Sequence, residues 1–169
     1  ATRLLRFPDV HGDRVAFVYA GDLFVASVNG GAARQLTAHV GQELFPKFSP
    51  DGKWIYFASD RSGRSNIYRH RVSGAGRPEP LFSSPLECYP TSISRDGKTL
   101  CYTTADSTGD FDLWLCNLDG DPQPRGFRET DMFEMRGEFS PDGRWLAYAS
   151  FETGSMESFV ESLDPSGGR

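Results

Sequence analysis

The chain says one thing three times. Phe48–Trp54 reads FSPDGKW, Phe139–Trp145 reads FSPDGRW, and Ile93–Thr99 is a blurred copy, ISRDGKT. Aligning on the glycine of that turn adds a fourth member. GDRVAF begins at Gly12, GKWIYF at Gly52, GKTLCY at Gly97 and GRWLAY at Gly143, so the glycines are 40, 45 and 46 residues apart. A second matched element follows each: DLFV (Asp22–Val25), NIYR (Asn66–Arg69), DLWL (Asp112–Leu115) and ESFV (Glu157–Val160), with an aromatic always third. A glycine-bearing turn comes next, and then, in three quarters, a short fourth element: ARQLT from Ala33, EPLF from Glu79 and PRGF from Pro124. Self-similarity at a period of about 40–45 residues constrains the fold more than any composition does.

Each unit reads as strands. Short runs of Val, Ile, Phe, Tyr and Trp bounded by Gly, Pro, Asp and Asn are the β signal. In Ser-Pro-Asp-Gly, Pro50 presets φ near −65°, Asp51 tolerates the bridge region, and Gly52 supplies a positive φ. Both parities of a strand are apolar, Val15 and Phe17 on one face and Ala16 and Val18 on the other, which predicts a sheet covered on both faces. The expectation is an all-β fold: a β-propeller of four four-stranded antiparallel blades per chain, a single domain over 1–169, with blades at about 6–40, 41–85, 86–130 and 131–169. A plain β-sandwich would not explain the period. The last blade lacks an outer strand, and Ala1–Leu5 is expected to supply it. Four blades close as one ring or as two chains in an eight-bladed ring, or they are an arc of a larger ring.

Composition removes several function classes. The net charge is −5 with both signs scattered and no basic run, so no nucleic acid is expected as partner. No apolar run approaches the ~20 residues of a membrane helix, and no signal peptide opens the chain. Cys88, Cys101 and Cys116 show no metal spacing and read as small buried residues, with a Cys101–Cys116 bridge open if their strands are neighbours. His11, His39 and His70 are far apart and read as turn or outer-strand residues. The acidic pairs Asp110/Asp112 and Asp119/Asp121 lack the remaining ligands of a calcium loop and read as caps of their own backbone. No catalytic residue, metal or cofactor is expected. The one concave place of a propeller is the mouth of its channel, and Arg6, Lys47, Thr91, Arg136 and Glu138 are the candidates to line it, either solvating it or holding a small ligand or peptide terminus.

FPKFSPDGKWIYFASDRSGRSNIYR resembles the WD40-like repeat of TolB-type propellers: Pro46, Phe48–Lys53, Ser59–Arg61, Gly63 and Ile67-Tyr68 match its pattern. The first blade, from Arg3 to the shared motif, resembles that of tricorn-type peptidases. The two styles meet inside FSPDGKW, as expected of a recombined or engineered chain or of a divergent natural one. Departures are Arg95 for the motif proline, Gly137 where blade two has Pro46, and the polar ESFVES. The TolB resemblance implies a non-catalytic scaffold binding a protein, a peptide or a second copy. The tricorn resemblance implies a substrate-gating propeller whose catalytic Ser and His lie in other domains. Both imply an exported setting.

Overall fold

A computed structural model describes residues 4–164. Every element among them is a strand, so the all-β reading holds, and the sheets are the antiparallel meanders of a β-propeller, three of them four-stranded and one three-stranded among the described residues. The chain divides into two compact units, Ala1–Pro85 and Leu86–Arg169, a boundary that falls between the second and third expected blades.

The first unit holds two sheets. One is β1 (Arg6–His11), β2 (Arg14–Tyr19), β3 (Asp22–Ser27) and β4 (Arg34–Gln35), in that order. The other is β5 (Glu43–Phe48), β6 (Trp54–Ser59), β7 (Asn66–Arg71) and β8 (Glu79–Pro80). Their facing sides form one core of Ala16, Leu23, Val25, Phe48, Ile55, Phe57, Tyr68 and Val72. The second unit holds β9 (Glu87–Ile93), β10 (Thr99–Ala105), β11 (Phe111–Asn117) and β12 (Gln123–Arg128) as one sheet. Its other sheet is β13 (Glu134–Phe139), β14 (Trp145–Ser150) and β15 (Glu157–Ser162), with no fourth strand among the described residues. Cys101, Leu113, Leu115, Leu146 and Tyr148 pack between them. The strand expected over Ala1–Leu5 falls largely outside the described residues, and Leu4 and Leu5 stand in no strand.

Second strands are buried on both faces in β6 and β10, as expected of a covered sheet, whereas β14 alternates, with Trp145 and Ala147 exposed. A strand with one wet face alternates for this reason.

The repeated turn is built by serine and aspartate rather than by proline. Ser49 Oγ donates to Asp51 Oδ1 at 2.6 Å and accepts the Trp54 amide at 3.0 Å, while Asp51 Oδ1 also accepts the Lys53 amide at 3.0 Å. Ser140, Asp142, Arg144 and Trp145 repeat the pattern at 2.6, 3.1 and 3.0 Å. So do Ser94, Asp96, Lys98 and Thr99, at 2.6, 3.0 and 2.9 Å, although Arg95 stands where the others have proline. These bonds to the ionised carboxylate hold all three aspartates below the usual range, Asp142 down to about 2.

The free cysteines are buried, and register rules out a bridge. Cys101 pairs with Leu115 and Cys116 with Leu100, so the two sulfurs leave opposite faces of one sheet.

Candidate functional site

All five residues assigned to the channel mouth lie at a β-bulge in the first strand of a sheet. Register shifts between Arg6 and Asp9 on β1, between Leu44 and Lys47 on β5, and between Met135 and Glu138 on β13. On β9 the shift skips Thr91. A bulge opens a ladder locally and re-aims side chains. At three of these bulges the aligned residue takes a positive φ: Phe7 at 54°, Phe45 at 51° and Arg136 at 60°. The aligned residue in β9 is Pro90, whose ring forbids that conformation. There Thr91 Oγ1 donates to the Cys101 carbonyl at 3.1 Å instead.

Within the first unit Lys47 Nζ lies 3.9 Å from Asp9 Oδ1, and Asp9 Oδ2 accepts the Phe48 amide at 2.8 Å, so one carboxylate ties β1 to β5. Burial raises the Asp9 pKa against the pull of that amide and of Lys47. Arg6 is exposed and lies over its neighbour Phe7, 5.5 Å from the ring centroid. Within the second unit Ser92 Oγ donates to the Gly137 carbonyl at 2.8 Å, which sets the Thr91 bulge beside that of β13. A Cβ at Gly137 would collide with Cys101 Sγ, which explains why glycine replaces the proline of blade two. Arg136 and Glu138 are exposed on either side of it.

The nucleophile candidates are structural. Burial pushes the Cys101 thiol up to about 12 and Cys116 to about 11, so neither forms a thiolate at neutral pH. His70 is not on an outer strand: it is buried on β7, the third strand of its sheet, with Nδ1 donating to the Arg71 carbonyl at 2.8 Å. His39 Nδ1 accepts the Gly41 amide at 2.9 Å. Asp106, not the pairs singled out in the sequence, organises its loop, accepting from Thr108 N, Thr108 Oγ1 and Asp110 N at 2.8, 2.7 and 3.0 Å. Asp110 Oδ1 accepts the amide of Phe111 at 3.0 Å. Among the described residues no three His, Cys, Asp or Glu side chains converge to hold a metal ion.

Two buried glutamates escaped the sequence reading. Glu43 is 0% exposed and opens β5; Glu134 is 1% exposed and opens β13, ninety-one residues later, the same offset as the repeated turn. Arg61 Nη2 reaches Glu43 Oε1 at 2.5 Å, and its guanidinium lies 4.9 Å from the Tyr68 centroid and 5.8 Å from that of Phe57. The place equivalent to Arg61 is held by Glu152 in the last blade: Arg61 N donates to Ser59 Oγ, and Glu152 N donates to Ser150 Oγ. Aligned on the same turn, the third blade has Asp106 there. Glu134 Oε1 accepts from Thr130 Oγ1 at 2.6 Å, its Oε2 has no hydrogen-bond partner, and no cation pairs with it among the described residues. Arg128 pairs with Glu161 at 2.9 Å and lies over Tyr148.

The inversion extends to whole units. Residues 1–85 hold eleven Lys and Arg against seven Asp and Glu, a net +4. Residues 86–169 hold seven against sixteen, a net −9, and together they give the −5 of the chain. Charges that look scattered along the sequence are segregated by unit. Asp112 registers the result: burial and the carboxylates of Asp110, Glu134, Glu129 and Asp106 push its pKa up to about 6.

Known proteins share this architecture. An uncharacterized protein of Agrobacterium fabrum is 30% identical over 82% of this chain and 52% of its own length. A TolB homolog of Chlorobium luteolum is 28% identical over 91% of this chain and 35% of its own. The chain thus spans about half, or less, of these relatives. The solved structure of a putative TolB from Agrobacterium tumefaciens superposes with a TM-score of 0.84 at 23% identity, over 98% of this chain and 60% of that one. The family model described as the tricorn protease N-terminal beta propeller domain matches residues 2–108, and the chain belongs to that propeller family.

Proposed function

We propose that the chain is a non-catalytic propeller module that binds protein or peptide. The observation that carries this reading is the charge polarity: +4 on residues 1–85 and −9 on residues 86–169. Segregated charge steers and orients a partner. The thiols and histidines serve packing and turns, and the likeness to a TolB homolog agrees with a protein partner. Arg6, Lys47, Thr91, Arg136 and Glu138, at the bulges of the first strands, are proposed as further contact residues.

The test is incubation with a tryptic digest of defined proteins, followed by mass spectrometry of bound and free fractions. The reading expects a subset of peptides enriched in the bound fraction with their ends intact. New peptide termini, or no enrichment, overturn it.

The family match favours a second reading, in which the chain gates or positions substrate for a tricorn-like peptidase. A hydrolase domain encoded after Arg169 in the gene supports it; a gene coding for no such domain supports the stand-alone module.

A further inference from the structure

We infer that one end of the second unit is a seat for a basic segment of a partner, with an arginine guanidinium of that segment taking beside Glu134 the place that Arg61 takes beside Glu43. This rests on the binding reading above and gives that reading its chemistry.

The chain itself shows what such a seat looks like when filled. In blade two the glutamate that opens the first strand is neutralised by Arg61, which comes from the loop after the second strand and lies over Tyr68. Blade four keeps the glutamate, its burial and the stacked aromatic pair, Tyr148 and Phe159, at 5.8 Å. It lacks the cation on the glutamate: Glu152 stands in the place of Arg61, and Arg128, which lies over Tyr148, pairs with Glu161 instead. Burying a carboxylate without a counter-charge is costly, and because Oε2 of Glu43 is unpaired as well, it is the missing arginine rather than the bare oxygen that sets blade four apart and points to a cation from outside.

The surroundings select the same ligand. The carboxylates of Asp110, Glu134, Glu129 and Asp106 lie close enough to Asp112 to act on it, adding to burial in raising its pKa. Beside them Phe111, Phe133 and Phe151 meet in series, tilted and then edge-on, at 5.8 and 5.9 Å between centroids, and Phe133 is 41% exposed. Carboxylates next to exposed rings suit a guanidinium, which pairs with the one and lies over the other. A compact, strongly hydrated metal ion would gain nothing from the rings, and the described residues offer no cluster to ligate it.

The probe is the peptide acetyl-Ala-Arg-Leu-Arg-Ala-amide, titrated calorimetrically against the full chain, with the citrulline counterpart as control. Citrulline keeps the shape and removes the charge. The wild type is expected to bind the arginine peptide at least tenfold more tightly than the citrulline peptide. Glu134→Gln is expected to lose that preference. Glu152→Arg, which supplies in cis the arginine that blade two has, is expected to lose it too while melting no lower than wild type. Equal binding of the two peptides by the wild type overturns the proposal, and so does a Glu152→Arg chain that keeps the preference. Should Glu134→Gln fail to fold, Glu152→Arg alone decides. Enrichment of non-basic peptides from the tryptic digest would leave the binding reading standing while removing this one.

Discussion

Arg61 Nη2 stands 2.5 Å from Oε1 of Glu43, a carboxylate with no exposed surface, and covers it with a guanidinium that is itself stacked on Tyr68. Removing the cation leaves the glutamate buried alone. Burial already raises its pKa against the pull of Arg61, so loss of Arg61 raises it further. Arg61→Ala is expected to lower stability by about 3 kcal/mol in urea unfolding. Glu43→Gln in the Arg61→Ala background is expected to restore part of the loss, because the orphaned charge is then gone. A double variant no more stable than Arg61→Ala would show that stacking rather than charge holds this corner.

The turn makes a second claim. Ser94 and Asp96 close it without a proline, so the serine bonds should matter more than the ring. Ser94→Ala is expected to cost roughly 1–2 kcal/mol, since it leaves the half-buried Thr99 amide short of an acceptor. Arg95→Pro is expected to stabilise by about 0.5 kcal/mol, because Pro50 and Pro141 already occupy that position in turns with the same bonds. Both are read from unfolding curves, and a destabilising Arg95→Pro would contradict the equivalence of the turns.

Arg136 holds φ at 60° in its bulge with no hydrogen bond to its own backbone that would favour it. Non-glycine residues pay roughly 1 kcal/mol for that conformation. Arg136→Gly is therefore expected to raise the melting temperature by about 2–4 °C, offset in part by the freer unfolded chain. A fall in melting temperature would show that the arginine side chain makes contacts worth more than the strain.

Asp112 sets a pH dependence. Its native pKa of about 6 lies above the ordinary 3.8, so between those values the folded chain holds more protons than the unfolded one. Stability from this group is therefore fullest below about pH 4 and is lost as pH rises through about 6. Asp112→Asn cannot ionise. The difference in melting temperature between Asp112→Asn and wild type is expected to grow from pH 4 to pH 6.5 in favour of the variant. A constant difference across that range would contradict the acidic crowding around Asp112.

Much of the fold was legible because the turn is local. Ser-x-Asp-Gly binds its own backbone, so its repetition reports the blades directly. The bulges were not legible, since Phe7, Phe45 and Arg136 carry no signature of positive φ in their side chains. Nor was the exclusion of a Cys101–Cys116 bridge, which depends on a one-residue register. Glu43 and Glu134 were within reach: they share the 91-residue offset of the turns, but a glutamate before a strand usually reads as solvated. The change from Arg61 to Asp106 and Glu152 was equally visible in the alignment, and its meaning appears only once Arg61 is seen on Glu43.

Binding through the acidic end of the second unit is expected to leave the ligand intact. Titrating the arginine peptide into the 15N-labelled chain tests it most directly, because amide shifts locate the ligand while the peptide's own spectrum reports its integrity. Saturable shifts are expected at Phe111–Leu113, Phe133–Met135 and Phe151, with unchanged amides at Ser49–Trp54 and an unaltered peptide. Shifts centred elsewhere, or the signals of a cleaved peptide, would contradict it.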